Sequence, residues 1–374
     1  MYNYSDRIEG FRAEKVRLPS DFEEKLLGRR KANRDRLISR LPQDIDGVTI
    51  GESSFKPQGS FAMQTVIQTR FTDEEYDIDD GVVLWKHQLV DKEGMELTAM
   101  VMKEKVRDAL KDDRFNRQPR LCTNCVRVFY AEEDEEKHHV DFPVYRKWEE
   151  ANGDTVRELA SENNWIKSDP TQVNVWFHDV VKDRNKVADG WGTQFRHLIQ
   201  LLKRFCRSRP DTEWDMPNGM KLTMLVAECQ PAYQARIDVA FRELLSKIHY
   251  RLQFSKVIRN LAHPEKPAIT KTDSDNNVVD LQTRCKEALD KLKELDKSDN
   301  ENPEAARSAW DWVFKSDGFF KEFDEKVKKE EKAKALLEKA ALVGNGARTS
   351  MAGVIGASGI ANLGHKFYGD STND

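Results

Sequence analysis

Three short stretches carry residue types suited to handling phosphate: Gln58-Gly59-Ser60-Phe61, Asp77-x-Asp79, and Asp141 within His139-Val140-Asp141-Phe142-Pro143. On an extended strand, residues two apart project from one face about 7 Å apart, so Asp77 and Asp79 are expected to point the same way. Two carboxylates on one rigid face form a hard-oxygen site suited to Mg²⁺. If the strand bearing Asp141 lies alongside, a third carboxylate completes a site for two ions about 3.5–4 Å apart. That arrangement clamps the attacking and departing oxygens of a phosphoryl transfer. Gly59 removes a Cβ where backbone must approach phosphate, and Ser60 adds an N–H and a hydroxyl. Each motif alone is commonplace, since Asp-x-Asp is frequent on solvated edges. Here it opens the apolar run Gly81-Val82-Val83-Leu84-Trp85, where unpaired buried charge costs several kcal/mol unless a cation offsets it.

The elements that must hold these residues can be read around them. Ser20-Asp21-Phe22-Glu23 reads as a capping box opening an amphipathic helix that carries Phe22, Leu26, Leu27 and Leu37 and stops at Pro42. Tyr76 to Trp85 reads as a buried strand and Leu97 to Leu110 as a helix. Cys122 to Ala131 and Lys137 to Tyr145 read as a hairpin about the acidic link Glu132 to Glu136. Beyond residue 150 strand signals nearly vanish. A helix is predicted to open at Ser168-Asp169-Pro170, with Trp176 and Val180 on its apolar face, and helical patterns follow over 188–208, 219–252, 278–296 and 303–341. From Gly344 the chain turns glycine-rich, which predicts a mobile tail. The fold class is therefore α+β: a mixed-sheet core with an N-terminal helix over 1–160, a helical domain completing a cleft over 161–343, and a tail over 344–374.

Composition narrows the classes of partner. The 374 residues hold 61 basic and 65 acidic side chains, so a net charge of −4 gives no global pull toward DNA or anionic membranes. No apolar run is long enough to span a bilayer, and the N-terminal stretch lacks a secretory pattern. Five cysteines, an odd number scattered along the chain, suit reduced thiols. A cytoplasmic protein without membrane attachment is expected.

Taken in order, Gly-Ser, Asp-x-Asp and the distant Asp are similar to the polymerase-β-like nucleotidyltransferases. The local text, Gln58 to Phe61, Asp77-Ile78-Asp79-Asp80-Gly81, Cys125-Val126-Arg127-Val128 and His139 to Tyr145, resembles the bacterial cGAS/DncV-like nucleotidyltransferases. The resemblance continues through Ser168-Asp169-Pro170, Trp176-Phe177, Gly192 to Phe205 and Gly219 to Glu228, and covers residues 20–260. It implies a polymerase-β-like core packed against a C-terminal helical lobe. It also implies synthesis of a cyclic di- or trinucleotide from ATP, GTP or other nucleoside triphosphates, 3′3′-cGAMP-like as the first expectation. Such a product is an alarm signal in phage-infected bacteria, read by a downstream effector.

By position, the resemblance implies that Asp77 and Asp79 hold two Mg²⁺ ions, with Mn²⁺ as the alternative metal, and that Asp141 completes the second and helps to deprotonate the acceptor 3′-hydroxyl. Gln58, Gly59 and Ser60 would cradle the donor triphosphate. Lys203, in Leu201-Leu202-Lys203-Arg204-Phe205, would neutralise charge on the leaving pyrophosphate. The bland alternative for Lys203 is a solvated helix face shared with Arg204, Arg207 and Arg209. Lys221 and Thr223 stand where relatives contact phosphate with a hydroxyl. The chain departs from the best-known member at Ala62 and Met63, which replace a base-stacking aromatic; the Met63 sulfur can pack on a base less rigidly.

Other features point less far. Cys122-x2-Cys125 and His138-His139 imitate a zinc finger, but the histidines are adjacent and the cysteines face opposite ways on a strand. Without a zinc-bearing insertion, activation by DNA is not expected. The tryptophans fall mostly at helical spacing and read as core. In some antiviral operons of the family an E1/E2-like conjugating enzyme acts on the extreme C-terminus; here the tail ends at Asp374, and plain disorder is the competing reading. Two rival functions share the motifs: nucleotidyl transfer to a protein or RNA acceptor, and a non-catalytic nucleotide-binding scaffold.

Overall fold

The computed structural model describes residues 2–344 except 69, 72–74, 131–136, 170, 273 and 297–301. The acidic link, Pro170 and the tail beyond 344 therefore lie outside the described residues. The described residues up to 320 form one compact unit and those after 320 belong to a second.

The chain opens with helix α1 (Ser5–Phe11), runs through a wider π-helical turn (Arg12–Val16) and enters the long helix α2 (Ser20–Asp44). Both ends of α2 differ from expectation. Its N-cap is Pro19 and no side chain caps it, because the chain is already helical at Ser20. Pro42 sits inside the last turn, and the helix stops two residues later with the Ile45 N–H on the Leu41 carbonyl. A proline this close to a C-terminus forfeits one backbone bond and leaves the preceding turns intact.

Strand β1 (Phe55–Gln58) passes directly into the single turn α3 (Gly59–Ala62). There follow β2 (Tyr76–Trp85), α4 (Ala99–Leu110, capped by the Thr98 hydroxyl), β3 (Arg120–Leu121), β4 (Val126–Tyr130), β5 (His138–Phe142), β6 (Val144–Glu149), β7 (Thr155–Ser161) and β8 (Asn164–Lys167). They build one eight-stranded mixed sheet in the order β3-β4-β5-β2-β6-β7-β8, with β1 also paired to β2. The β4–β5 hairpin was expected. The β7–β8 hairpin was not, since it lies where strand signals fade. Its alternation is weak because Thr155 and Asn164 are exposed, and its turn is made by Glu162 at φ 47° without the glycine that usually marks one.

The remaining elements are α5 (Gln172–Val187), α6 (Trp191–Cys206), α7 (Gly219–Cys229), α8 (Ile237–Phe254), α9 (Asn276–Lys293), α10 (Pro303–Phe314) and α11 (Phe319–Gly344). Two patterns expected to be continuous are each two helices. One breaks at Gln230-Pro231, with Gln230 at φ 43°; the other breaks over Lys315 to Gly318, where three of the four residues take positive φ. A left-handed residue ends a helix however apolar the flanking faces are.

Leu26, Leu37 and Leu41 of α2, with Met102 and Val106 of α4, pack on Ile78, Val82, Val128 and Val140 of the sheet to form the main core. A second, aromatic cluster ties the N-terminus to later helices: Tyr4 stacks on Trp310 at 6.4 Å, and Phe11 meets Phe314 at 5.3 Å. The Tyr4 N–H donates to Asp238 on α8. None of the five cysteines is paired, and no helix among the described residues is long and apolar enough to cross a membrane.

Candidate functional site

Strand β2 lies between β1, antiparallel, and β5, parallel. The register sets Gln58 opposite Asp79 on one side, and His139 and Asp141 opposite Asp77 and Asp79 on the other. Paired residues share a face of a sheet, so one surface collects all three aspartates. Asp77, His139 and Asp141 each offer a ligand atom, and these atoms lie within 4.8 Å of one another.

The individual side chains are held by different means. Asp141, buried on β5, accepts from Arg127 Nε at 2.8 Å and Nη2 at 2.7 Å, a bidentate clamp supplied from the adjacent register position on β4. His139 sits between two acids, with Nδ1 2.9 Å from Glu75 Oε2 and Nε2 3.3 Å from Asp77 Oδ1. Burial works against its charged form, but the Asp77 and Asp141 carboxylates together outweigh it and raise its pKa. Asp79 is pressed against the α3 turn. Gly59 takes φ 66°, and a Cβ there would fall 2.2 Å from Asp79 Oδ2, so both backbone conformation and space demand glycine.

Burial first, then the charges of Asp77 and Asp141, push the Asp79 carboxyl up to about 7. Crowded carboxylates whose mutual repulsion resists ionisation are the donor set a divalent cation would relieve, and the hard oxygens fit Mg²⁺ or Mn²⁺. Gln58 accepts from the Tyr145 hydroxyl at 3.2 Å, while its Nε2 is buried beside Gly81 without a partner among the described residues.

The other residues singled out from sequence lie further along. Met63 is buried and its carbonyl accepts from Arg196 Nε at 3.3 Å. Lys203 on α6 is buried; its ammonium donates to the Thr65 carbonyl at 2.9 Å and the Thr65 hydroxyl at 3.2 Å. Burial, then the Arg207 charge, lowers its pKa to about 7. The alternative of a solvated basic face holds for Arg207 alone, which is exposed, whereas Lys203, Arg204 and Arg209 are buried. Lys221 donates to Asp275 at 2.9 Å and Asn277 at 3.3 Å, and the Thr223 hydroxyl donates to the Gly219 carbonyl of its own helix. The structure thus gathers Gln58, Gly59, Asp77, Asp79 and Asp141, and sets Lys203 against the segment that follows the glycine turn. Lys221 and Thr223 have partners within the helical part.

Arg127 and His139 had no role assigned from sequence. The signal for Arg127 was a charge two residues from Cys125 in an apolar strand, the same cue that marked the aspartates. His139 was visible only as part of the zinc-like pattern. That pattern does not assemble: His138 stacks on Tyr130 at 5.2 Å, and no metal-competent group among the described residues includes a cysteine.

Residues 53–145 match the family model for the nucleotidyltransferase domain of DncV-like cyclic GMP-AMP synthases. The stretch that resembles the bacterial cGAS/DncV-like nucleotidyltransferases contains the Gly59 turn and all three aspartates. A cyclic GMP-AMP synthase of Escherichia albertii is 24% identical over 249 residues, 63% of this chain and 50% of that protein, so the chain spans about half the length of the curated relative it matches. The fold agrees with that of Vibrio cholerae DncV. Its complex with the linear intermediate pppA(3′,5′)pG superposes with a TM-score of 0.62 at 16% identity, covering 84% of this chain and 96% of that one. A complex of the same synthase with nonhydrolyzable GTP gives 0.61 at 16% identity and the same coverage. The polymerase-β-like core with its helical C-terminal region is therefore the fold of this chain.

Proposed function

We propose that the protein is a Mg²⁺-dependent nucleotidyltransferase that joins ATP, GTP or other nucleoside triphosphates into a cyclic di- or trinucleotide, 3′3′-cGAMP-like first, in the cytoplasm of a bacterium defending itself against phage. The reading is carried by one observation: the β2–β5 register that sets Asp79 opposite Asp141, with the Gly59 turn against the Asp79 carboxylate. Asp77, Asp79 and Asp141 would hold the two ions. When bound, the ions supply charge neutralisation on the triphosphate and acidify the acceptor 3′-hydroxyl.

The chain's own groups do the rest. The Gly59 and Ser60 N–H groups, which have no carbonyl four residues back within α3, and the Ser60 hydroxyl bind the donor phosphates. Gln58 Nε2 is a further donor on that side. Arg127 fixes the Asp141 carboxylate so that it receives the acceptor proton in one orientation. Lys203, through Thr65, holds the chain behind the turn and places beside it an amine that a bound triphosphate would keep protonated. Met63 borders the base, and Lys221 and Thr223 brace the helical part. The product leaves to a diffusible-signal effector, and an E1/E2-like conjugating enzyme would act on the residues after 344.

The test is incubation of the full chain with the four labelled nucleoside triphosphates and Mg²⁺, followed by nuclease P1 digestion and mass spectrometry. A phosphatase-resistant small product formed without added acceptor is expected. Label that appears only on an added protein or RNA would replace cyclisation with macromolecular transfer. Triphosphate binding without pyrophosphate release would leave a scaffold.

A further inference from the structure

A cavity of about 280 Å³ lies between the N-terminal segment, the start of α2, residues 61–66 and α6; of its lining residues only Phe61 belongs to the α3 turn, and none belongs to the carboxylate cluster. Arg12, Arg17 and Arg196 line it, against a single acid, Glu23. Part of this positive charge is already matched. Glu9 accepts from Arg12 Nε at 2.9 Å and faces His197 Nδ1 at 3.4 Å. Burial opposes ionisation of Glu9, yet His197 and Arg12 together hold its carboxyl down at about 2. Arg12 also spends Nη1 on Gln200.

Arg17 and Arg196 remain. Arg17 is exposed, and no hydrogen bond or ion pair of its guanidinium occurs among the described residues. Arg196 uses only Nε, on the Met63 carbonyl, and its two terminal nitrogens have no protein acceptor among the described residues. These two forks, from elements far apart in sequence, flank an apolar wall of Leu18, Phe61 and Val66. Paired anion donors around a compact apolar surface match a ligand with charged ends and a carbon body, and the volume is at the small end of ligand pockets.

We infer that this cavity binds a small organic polyanion carrying two or more carboxylate or phosphate groups, at a site separate from the nucleotide cleft. Occupancy bears on the nucleotide site through the backbone. Arg196 holds the Met63 carbonyl and Gln200 holds the Gln64 carbonyl, in the segment that continues directly from the glycine turn. A ligand drawing on Arg196 changes how that segment is held.

The test is titration calorimetry on the full chain, freed of divalent ions on a chelating resin and without soluble chelator, with citrate as the carboxylate probe, fructose 1,6-bisphosphate as the phosphate probe and acetate as the monoanion control. At least one polyanion is expected to bind one-to-one, at least about tenfold more tightly than acetate, and Arg17→Gln is expected to weaken it by about tenfold or more. Arg17 is exposed, so this variant keeps the fold; Arg196→Gln should act in the same direction. Which probe binds decides between carboxylate and phosphate recognition. Binding no tighter than acetate, binding unchanged in both variants, or complete displacement by GTP would overturn the inference. The readout needs no turnover, so its failure is distinct from failure of the proposed activity.

Discussion

Substitution of Gly59 by alanine separates the geometric argument for the site from ordinary destabilisation. Two effects add in Gly59→Ala. The left-handed φ of 66° costs an L-residue about 1–2 kcal/mol, and the new Cβ falls 2.2 Å from Asp79 Oδ2, which forces the carboxylate or the turn to move. Gly47 isolates the first effect: it takes φ 76° with nothing within 4 Å of its would-be Cβ. Gly47→Ala should therefore lose the backbone cost alone, a few degrees in melting temperature for a unit of this size, and Gly59→Ala at least that much. Only Gly59→Ala displaces an ion-holding group, and a shift of about 1 Å there should lower pyrophosphate release about a hundredfold. The assay is single-turnover pyrophosphate release beside calorimetric melting of both variants. Equal release rates in Gly59→Ala and Gly47→Ala would refute the claim that the glycine turn and Asp79 form one site.

Three further outcomes are expected. Asp79 keeps its proton to about 7 when folded and to about 3.8 when unfolded, so the folded state binds more protons in that window. The metal-free protein should thus lose up to about 4 kcal/mol as pH rises through it, and Asp79→Asn should flatten that slope in pH-dependent melting while cutting turnover by about 10³ or more. Lys203 behaves oppositely: folded it releases its proton near 7 and unfolded near 10.5, so stability relative to Lys203→Met should rise with pH between those values, as urea midpoints would record. Arg34 clamps the fully buried Asp80 at 2.6 and 2.7 Å, so Arg34→Met should cost about 3–5 kcal/mol by urea unfolding, and Asp80→Asn in that background should recover part of it. A loss below about 1 kcal/mol would show that Asp80 finds another partner.

Much of the sheet-bearing half was visible in the residue pattern. Aspartates at 77 and 79 inside an apolar, β-branched run specify a strand with both carboxylates on one face, and the β4–β5 hairpin follows from two such runs across an acidic link. Local rules misplaced what depends on backbone angles that many residue types can adopt. The left-handed Gln230 and Lys315 split helices whose apolar spacing continues across the break, and Glu162 makes a hairpin turn without a glycine. The ends of α2 fall in the same class, because capping and proline effects shift a boundary by a residue or two without changing the helix.

The chain's residue types and their spacing determined the mixed sheet, the helical second half and the three acidic side chains with a glycine turn, since periodicity and local sterics act over a few neighbours. Only the tertiary structure decided that Asp141 lies opposite Asp79, that Arg127 clamps it, that Lys203 is buried on Thr65 beside the turn, and that Arg17 and Arg196 share a cavity. Those partners are separated along the chain and are brought together by strand register and helix packing, which no local pattern encodes.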